Sequence, residues 1–372
     1  GSGNVPGVDF ELGRGGWITG TITDAQTGQG VLSDFRLYTS DGSPCETGGL
    51  LSVDGFYETL GLPGGTYFVA TDATDHRNEL YDDIPCDPSC DVTDGDPVAV
   101  VLGQGTWGID FALEPVFRYV ALGDSYSSGE GCRHYFPFSD VPFGNQCHRS
   151  SFAYSQVTWA IDLTADDFFA CSGAVTDNIF PASAGGEGQY DEPPQLDHPE
   201  IASADLVTVT IGGNDVLFAD VLTWCYDEPD CRTFRPRGWS MTLEEYMPQL
   251  VGIMGARMEH TVARIRAEAP GAFVVVLGYP VPFPEDAVNQ QCGILADPIG
   301  HNRSWTPAEQ NWIRDLAPEL NAMIRRSARR AGGEYARVDM EGLFPGHEVC
   351  GPMGSWFVPP RLRRTLNKSE FF

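Results

Sequence analysis

Lysine is almost missing from this chain. Of 372 residues one is lysine, Lys368, and the 23 basic residues face 52 acidic ones, for a formal charge of −29. A surface so poor in cations repels nucleic acid and anionic bilayers, so neither is expected as a partner. It suits a secreted protein, including one in salty water, and equally serves plain solubility. No apolar run approaches the roughly 20 residues that cross a bilayer, so no transmembrane segment is expected. No signal peptide is recognised in the sequence, but Gly1-Ser2-Gly3 reads as a cloning remnant, with residues 1–7 as remnant and linker, which is compatible with a leader having been removed. No two cysteines stand at C-x2-C spacing and no histidine sits at ligand distance from a cysteine pair, which argues against a zinc array. No metal and no organic cofactor is expected. The G-x-S-x-G nucleophile elbow is absent, which disfavours an α/β-hydrolase. No internal repeat or low-complexity tract stands out.

What is present points to two domains, since 372 residues exceed one ordinary domain and a hydrophobic content of 42% supports real cores. Ten cysteines indicate an oxidising compartment. Residues 8–114 read as all-β: the runs at Trp17, Phe35, Thr66 and Val98 are short, and Asp41-Gly, Asp54-Gly and Pro63-Gly-Gly separate them. Short strands between turn signals predict a β-sandwich. Gly20-Thr-Ile-Thr-Asp, Gly55-Phe-Tyr and Leu62-Pro-Gly-Gly-Thr-Tyr together resemble carboxypeptidase-regulatory-like (prealbumin-like) domains. Asp72, Asp75, Asp82 and Asp83 lack the register of a calcium loop and read as solvated surface acids.

After a junction near Glu114-Pro115 the pattern alternates, so residues 115–372 form the second domain. Arg118–Gly123, Asp167–Ala170, Leu206–Ile211, Phe273–Tyr279 and Tyr335–Val338 are candidate strands. Thr242-Leu-Glu-Glu opens a helix that Pro270-Gly271 stops, and Thr306-Pro-Ala-Glu opens another that ends at Gly332-Gly333. Such alternation predicts an α/β domain with a parallel sheet between helix layers.

Three of the apolar runs end in small polar turns. Tyr119-Val-Ala-Leu runs into Gly123-Asp-Ser125, another run into Ala170-Cys-Ser-Gly173, and a third into Ile211-Gly-Gly-Asn-Asp215. Ligand sites in open α/β sheets lie just past such strand ends. A serine that attacks an acyl group needs a base for its proton and donors for the oxyanion, and an amide such as Asn214 donates without carrying charge. Asp124 and Asp215 read as turn-holding side chains. These blocks, in this order, resemble the SGNH (GDSL-type) esterases and lipases from about Phe117 onward. The resemblance implies a three-layer α/β/α, flavodoxin-like hydrolase domain. It also implies Ser125 as nucleophile, with an oxyanion hole made by the Ser125 and Gly173 amides and the Asn214 side chain.

The family's catalytic histidine follows an acid by three residues. Here the chain ends Ser369-Glu370-Phe371-Phe372, which puts Glu370 at the acid's position and the histidine in the residue after Phe372. His347 is the competing base among His76, His134, His148, His198, His260, His301 and His347; a similar element in the family instead suggests a structural or rim role for it. The resemblance further implies disulfides Cys147–Cys171, Cys225–Cys231 and Cys292–Cys350. Cys86–Cys90 follows by proximity, leaving Cys45 and Cys132 free or bridging the domains. Tyr126, Tyr135, Phe136, Phe138, Trp224, Tyr226, Phe234 and Trp239 either line an acyl pocket or pack loops. The expected protein is a secreted, monomeric serine esterase or lipase acting on a small-molecule, lipid or acylated-carbohydrate ester. A carbohydrate acetylesterase and an inactive binding or adhesion protein on the same scaffold are the alternatives.

Overall fold

The computed structural model describes residues 14–45, 49–86, 89–156, 167–285, 292, 304–336, 346–350, 362–365 and 368–371. The chain divides into two compact units, Gly1–Val116 and Phe117–Phe372.

The first unit is all-β. One sheet is built on Trp17–Asp24 with Phe56–Thr59, Gly49–Leu51, Gly105–Thr106 and Phe111–Leu113; the other is built on Asp34–Thr39 and Gly65–Asp72 with Val98–Val100 and three two-residue strands. Side chains alternate across a strand, so in Phe56–Thr59 it is Tyr57 and Thr59 that are buried. Ile18, Ile22, Tyr57 and Phe111 from the first sheet meet Leu37, Tyr67, Val69 and Val98 from the second in one core. Cys86 and Cys90 are bridged, and Cys45 remains a thiol. Of the four grouped acids, Asp72 pairs with Arg36 at 2.5 Å and Asp75 with His76 at 2.9 Å.

The second unit holds a parallel sheet. Tyr119–Gly123 pairs with Leu206–Thr210, which pairs with Phe273–Leu277, which pairs with Glu334–Ala336. All five residues of Tyr119–Gly123 are buried. Val120 and Leu122 join a core with the Leu243–Glu268 and Pro307–Arg330 helices, while Tyr119 and Ala121 pack with Ala153, Phe168 and Ala170. A strand covered on both faces reads as a continuous apolar run, which is why Tyr-Val-Ala-Leu shows no alternation. Both long helices start at capping boxes, Thr242 with Glu245 and Thr306 with Glu309.

All five expected strands differ in extent: Arg118–Gly123 starts at Tyr119, Leu206–Ile211 ends at Thr210, and the other three differ more. Asp167–Ala170 is not a strand; it makes a single parallel bridge, Phe168 to Ala121. The amides of Phe169 and Ala170 both reach the Ala121 carbonyl, and the buried Arg149 guanidinium takes the Phe169 and Ala170 carbonyls, so the ladder cannot propagate. Phe273–Tyr279 stops at Leu277 because Asn321 captures the Tyr279 backbone, accepting from its N–H at 2.8 Å and donating to its carbonyl at 2.7 Å. Tyr335–Val338 is a strand over Glu334–Ala336, and its last two residues lie outside the described ones. Numbering the Tyr119, Phe168, Leu206, Phe273 and Glu334 segments 1 to 5 in chain order, with the Phe168 segment joined by its single bridge to the four-stranded sheet, the order is 2-1-3-4-5, the flavodoxin-like order, and the chain reverses direction across the sheet between the Tyr119 and Leu206 strands.

Among the described residues no helix is long and apolar enough to cross a membrane. The remaining described strands, Leu362–Thr365 and Lys368–Phe371, form a hairpin with Glu370 opposite Arg363.

Candidate active site

The two strands that flank the reversal end in register, Gly123 opposite Thr210. The Asp124 amide donates to the Thr210 carbonyl at 2.9 Å, tying the first turn to the neighbouring strand. Gly123 has φ +128, and a Cβ there would lie 2.3 Å from the Thr210 carbonyl oxygen, so only glycine fits. Gln195, buried at the other side, donates to the Gly123 carbonyl at 2.9 Å and accepts from its N–H at 2.8 Å. Ser125 then opens a single helical turn, Ser125–Ser128. Asp124 caps it by accepting from the Tyr126 amide at 3.0 Å, and Gly129 closes it in the left-handed region. Ser125 is half-buried, at the carboxyl end of its strand.

The second turn, at Gly173, is braced by covalent and ionic contacts. Cys171 is bridged to Cys147, the Cys171 amide donates to Gly123 O at 2.9 Å, and the Ser172 amide to Cys147 O at 3.0 Å. Arg149 is 4% exposed and forms a bidentate pair with Glu192, which also accepts from Asn145. Gly173 itself is exposed, with φ +79, and no backbone hydrogen bond takes its N–H among the described residues.

The third turn follows Leu206–Thr210. Asn214 Nδ2 donates to the Ala174 carbonyl at 2.9 Å, which fixes the side chain beside the Gly173 turn. An amide nitrogen carries two hydrogens, so this leaves one to donate elsewhere. Asp215 accepts from the Thr176 amide at 3.0 Å and its hydroxyl at 2.6 Å, and Arg257 on the long helix reaches Asp215 at 3.4 Å and Asp177 at 3.6 Å. The structure thus brings Gly173 and Asn214 together and sets the Ser125 and Asn214 turns at the ends of adjacent strands. The Glu370 side chain lies outside what the structure describes. His347 lies in 346–350, where the Val349 amide donates to Pro282 O at 2.8 Å.

Beneath these turns lies an acid. Asp124 is 1% exposed; burial pushes its carboxyl up to about 7, against the hydrogen bonds from Tyr279 and the Tyr126 amide, while the nearby Asp215 charge pushes it further up. Burial, then the Asp124 charge, holds the Tyr279 hydroxyl well above its ordinary range. Local sequence reading missed Tyr279, Arg149 and Gln195. Tyr279 carries a usable signal, since Gly278-Tyr-Pro280 is another small polar turn after an apolar run. Arg149 and Gln195 carry none, because their partners lie 20 or more residues away in the chain.

The aromatic residues divide between two roles. Tyr226 is core, 4% exposed against Trp305 at 5.2 Å, and Phe234 and Trp239 both pack on Trp224. Tyr135 stacks on His148 and Phe136 on Phe138, while Tyr126 and Phe138 are 38% and 50% exposed. Bridges Cys225–Cys231 and Cys292–Cys350 are also present, and Cys132, like Cys45, is a thiol. Among the described residues Cys225, Cys231 and Glu309 converge at metal-ligand spacing. The two sulfurs are joined to each other, however, and Glu309 accepts from the Cys231 amide and from Thr306, so these groups do not form a donor set.

A sequence model of the GDSL-like Lipase/Acylhydrolase family matches residues 121–360. A lipase of Streptomyces rimosus is 33% identical over 238 residues, covering 62% of this chain and 73% of its own. Lipase 1 of Streptomyces coelicolor is 30% identical over 236 residues, 62% of this chain and 72% of its own. Among solved structures, phospholipase A1 from Streptomyces albidoflavus NA297 is similar at 30% identity and a TM-score of 0.46, over 69% of this chain and 92% of its own. The run of 240 matched residues, spanning all three polar turns, assigns the chain: it belongs to the GDSL-like lipase/acylhydrolase family, the SGNH serine hydrolases of ester bonds.

Proposed function

We propose that the chain is a secreted carboxylic ester hydrolase that works through a Ser125 acyl-enzyme. The observation that carries the reading is the convergence of polar turns at the reversal of strand order, with Asn214 fixed to the Gly173 turn by its bond to Ala174 O at 2.9 Å. In this reading Ser125 Oγ adds to the ester carbonyl and its proton passes to a base. The oxyanion is met by the amides of Ser125 and Gly173 and by the Asn214 Nδ2 hydrogen that Ala174 does not occupy. The intermediate expels the alcohol, which takes the proton from the base. Water, deprotonated by the same base, then releases the acid and restores Ser125. The base is a histidine that an acid orients, Glu370 standing at the acid's position in the family's motif; His347 is the competitor.

The substrates that fit are short- to medium-chain acyl esters, including lipid esters; the relatives named lipase support this choice. The first unit is read as a β-sandwich module spanning 8–114, ahead of a hydrolase domain spanning 115–372, and the protein as a monomer. Hydrolysis of p-nitrophenyl acetate and butyrate, with Ser125→Ala as the blank, tests the reading. Turnover lost in the variant supports it, and turnover equal in both overturns it. Preference for acetylated xylan over p-nitrophenyl butyrate would replace the lipid ester with a carbohydrate acetyl ester.

A further inference from the structure

Tyr279 is buried, 3% exposed, and its hydroxyl makes two bonds to two different turns. It donates to Asp124 Oδ2, and it accepts from the Gly213 N–H at 2.7 Å. Asp124 caps the helical turn that starts with Ser125, and Gly213 immediately precedes Asn214. The same ring meets Tyr126 edge-on at 5.2 Å. Its backbone is held from the other side by both polar atoms of Asn321. Gly213 has no room for a larger residue, since a Cβ would stand 2.9 Å from the Tyr279 ring.

We propose that Tyr279 is a positioning residue that ties the Ser125 turn to the Asn214 turn and so fixes the nucleophile relative to its oxyanion donor. The inference rests on the reading of Ser125 and Asn214 given above. The two turns come from different strands, which are joined at their ends by the Asp124 amide to the Thr210 carbonyl and by the Thr210 amide to Ser127 Oγ at 3.1 Å. The Tyr279 hydroxyl adds a tie beyond the strand ends, and a small misplacement of a reacting group costs rate out of proportion to the distance. The groups facing Asp124 are the hydroxyls of Tyr279, Tyr126 and Tyr154 and the Asp215 carboxylate, which Arg257 pairs. A donor to a carboxylate favours its charged form, so losing the Tyr279 hydroxyl raises the pH at which Asp124 ionises.

The test is Tyr279→Phe in the full chain, which keeps the ring and removes the two bonds. The expected result is a fall in kcat of about 10- to 100-fold on p-nitrophenyl butyrate with KM unchanged. The acidic limb of the kcat profile moves to higher pH, and exchange of the Gly213 amide hydrogen speeds up. Asp124→Asn is the second variant, useful if the first does not fold. It gives a similar loss, and the double variant is no slower than the slower single one. Ser125-dependent turnover that Tyr279→Phe leaves intact, or single losses that multiply in the double variant, overturns the inference alone. A wild-type chain without Ser125-dependent turnover overturns the reading of the site, and the inference with it.

Discussion

The two units place their polar side chains differently. In the first, aspartates such as Asp41 and Asp91 serve their own turns: Asp41 accepts from the Ser43 amide, and Asp91 from the amide and hydroxyl of Thr93. Each of these bonds closes within two residues, and both carboxylates are exposed, so each stabilises a local bend and little else. In the second unit the polar groups at strand ends reach across the sequence. Asp124 meets Tyr279 across 155 residues, Gly213 meets the same hydroxyl across 66, and Asn214 meets Ala174 across 40. A turn aspartate therefore says little by itself. What separates a site from a bend is a buried polar group whose partner belongs to another strand.

Breaking the long-range set should cost activity, and breaking the local set should cost only stability. Ser125→Ala should have the largest effect, about 10⁴-fold or more in kcat on p-nitrophenyl butyrate, with the residual rate supplied by the oxyanion donors. Asn214→Ala should lower kcat by about 10²–10³-fold and leave KM nearly unchanged, the pattern of a contact made in the transition state. Gly213→Ala drives a methyl into the Tyr279 ring; a melting experiment should show a loss of about 1–3 kcal/mol together with reduced kcat. Thr306→Ala removes a helix cap on the same unit and should cost about 1 kcal/mol with kcat unaltered. A Thr306 variant that loses activity would weaken the distinction.

The smallest effect belongs to the first unit. Burial disfavours charge on His76, yet bonds from Asp75 and Asp24 outweigh it and raise its pKa, while the Thr27 amide and hydroxyl first, then His76, lower Asp24 to about 2. A raised histidine stabilises fully below its unfolded value, near 6.5, and that contribution is lost as pH rises through the folded value. A depressed aspartate contributes above about 3.8 and loses that contribution as pH falls towards 2. Calorimetry should therefore show the first unit losing stability above pH 6.5, and His76→Phe should flatten that limb without changing the turnover of the second unit.

Much of the second unit is legible in the chain. Capping boxes at Thr242 and Thr306 mark two helices because their bonds close within three residues. The run Tyr-Val-Ala-Leu declares a strand buried on both faces. The failures share one cause. Asp167–Ala170 looks like a strand, but Arg149 takes the carbonyls that would continue the ladder. Tyr279 looks like the last residue of a strand, but Asn321 takes its backbone.

The sequence alone determined the identity of the parts: a two-residue or near-four-residue period names a strand or helix, and Gly-Asp-Ser, Ser-Gly and Gly-Gly-Asn-Asp name turns with polar groups to offer. Composition likewise set the acidic surface and its lack of lysine. Only the tertiary structure decided which turns meet, because strand order places the Phe168 segment and Leu206–Thr210 on either side of Tyr119–Gly123. It alone decided that one tyrosine hydroxyl serves both Asp124 and Gly213. Local pattern depends on bonds within a few residues, whereas the site depends on bonds between residues that only the folded sheet brings within hydrogen-bonding distance.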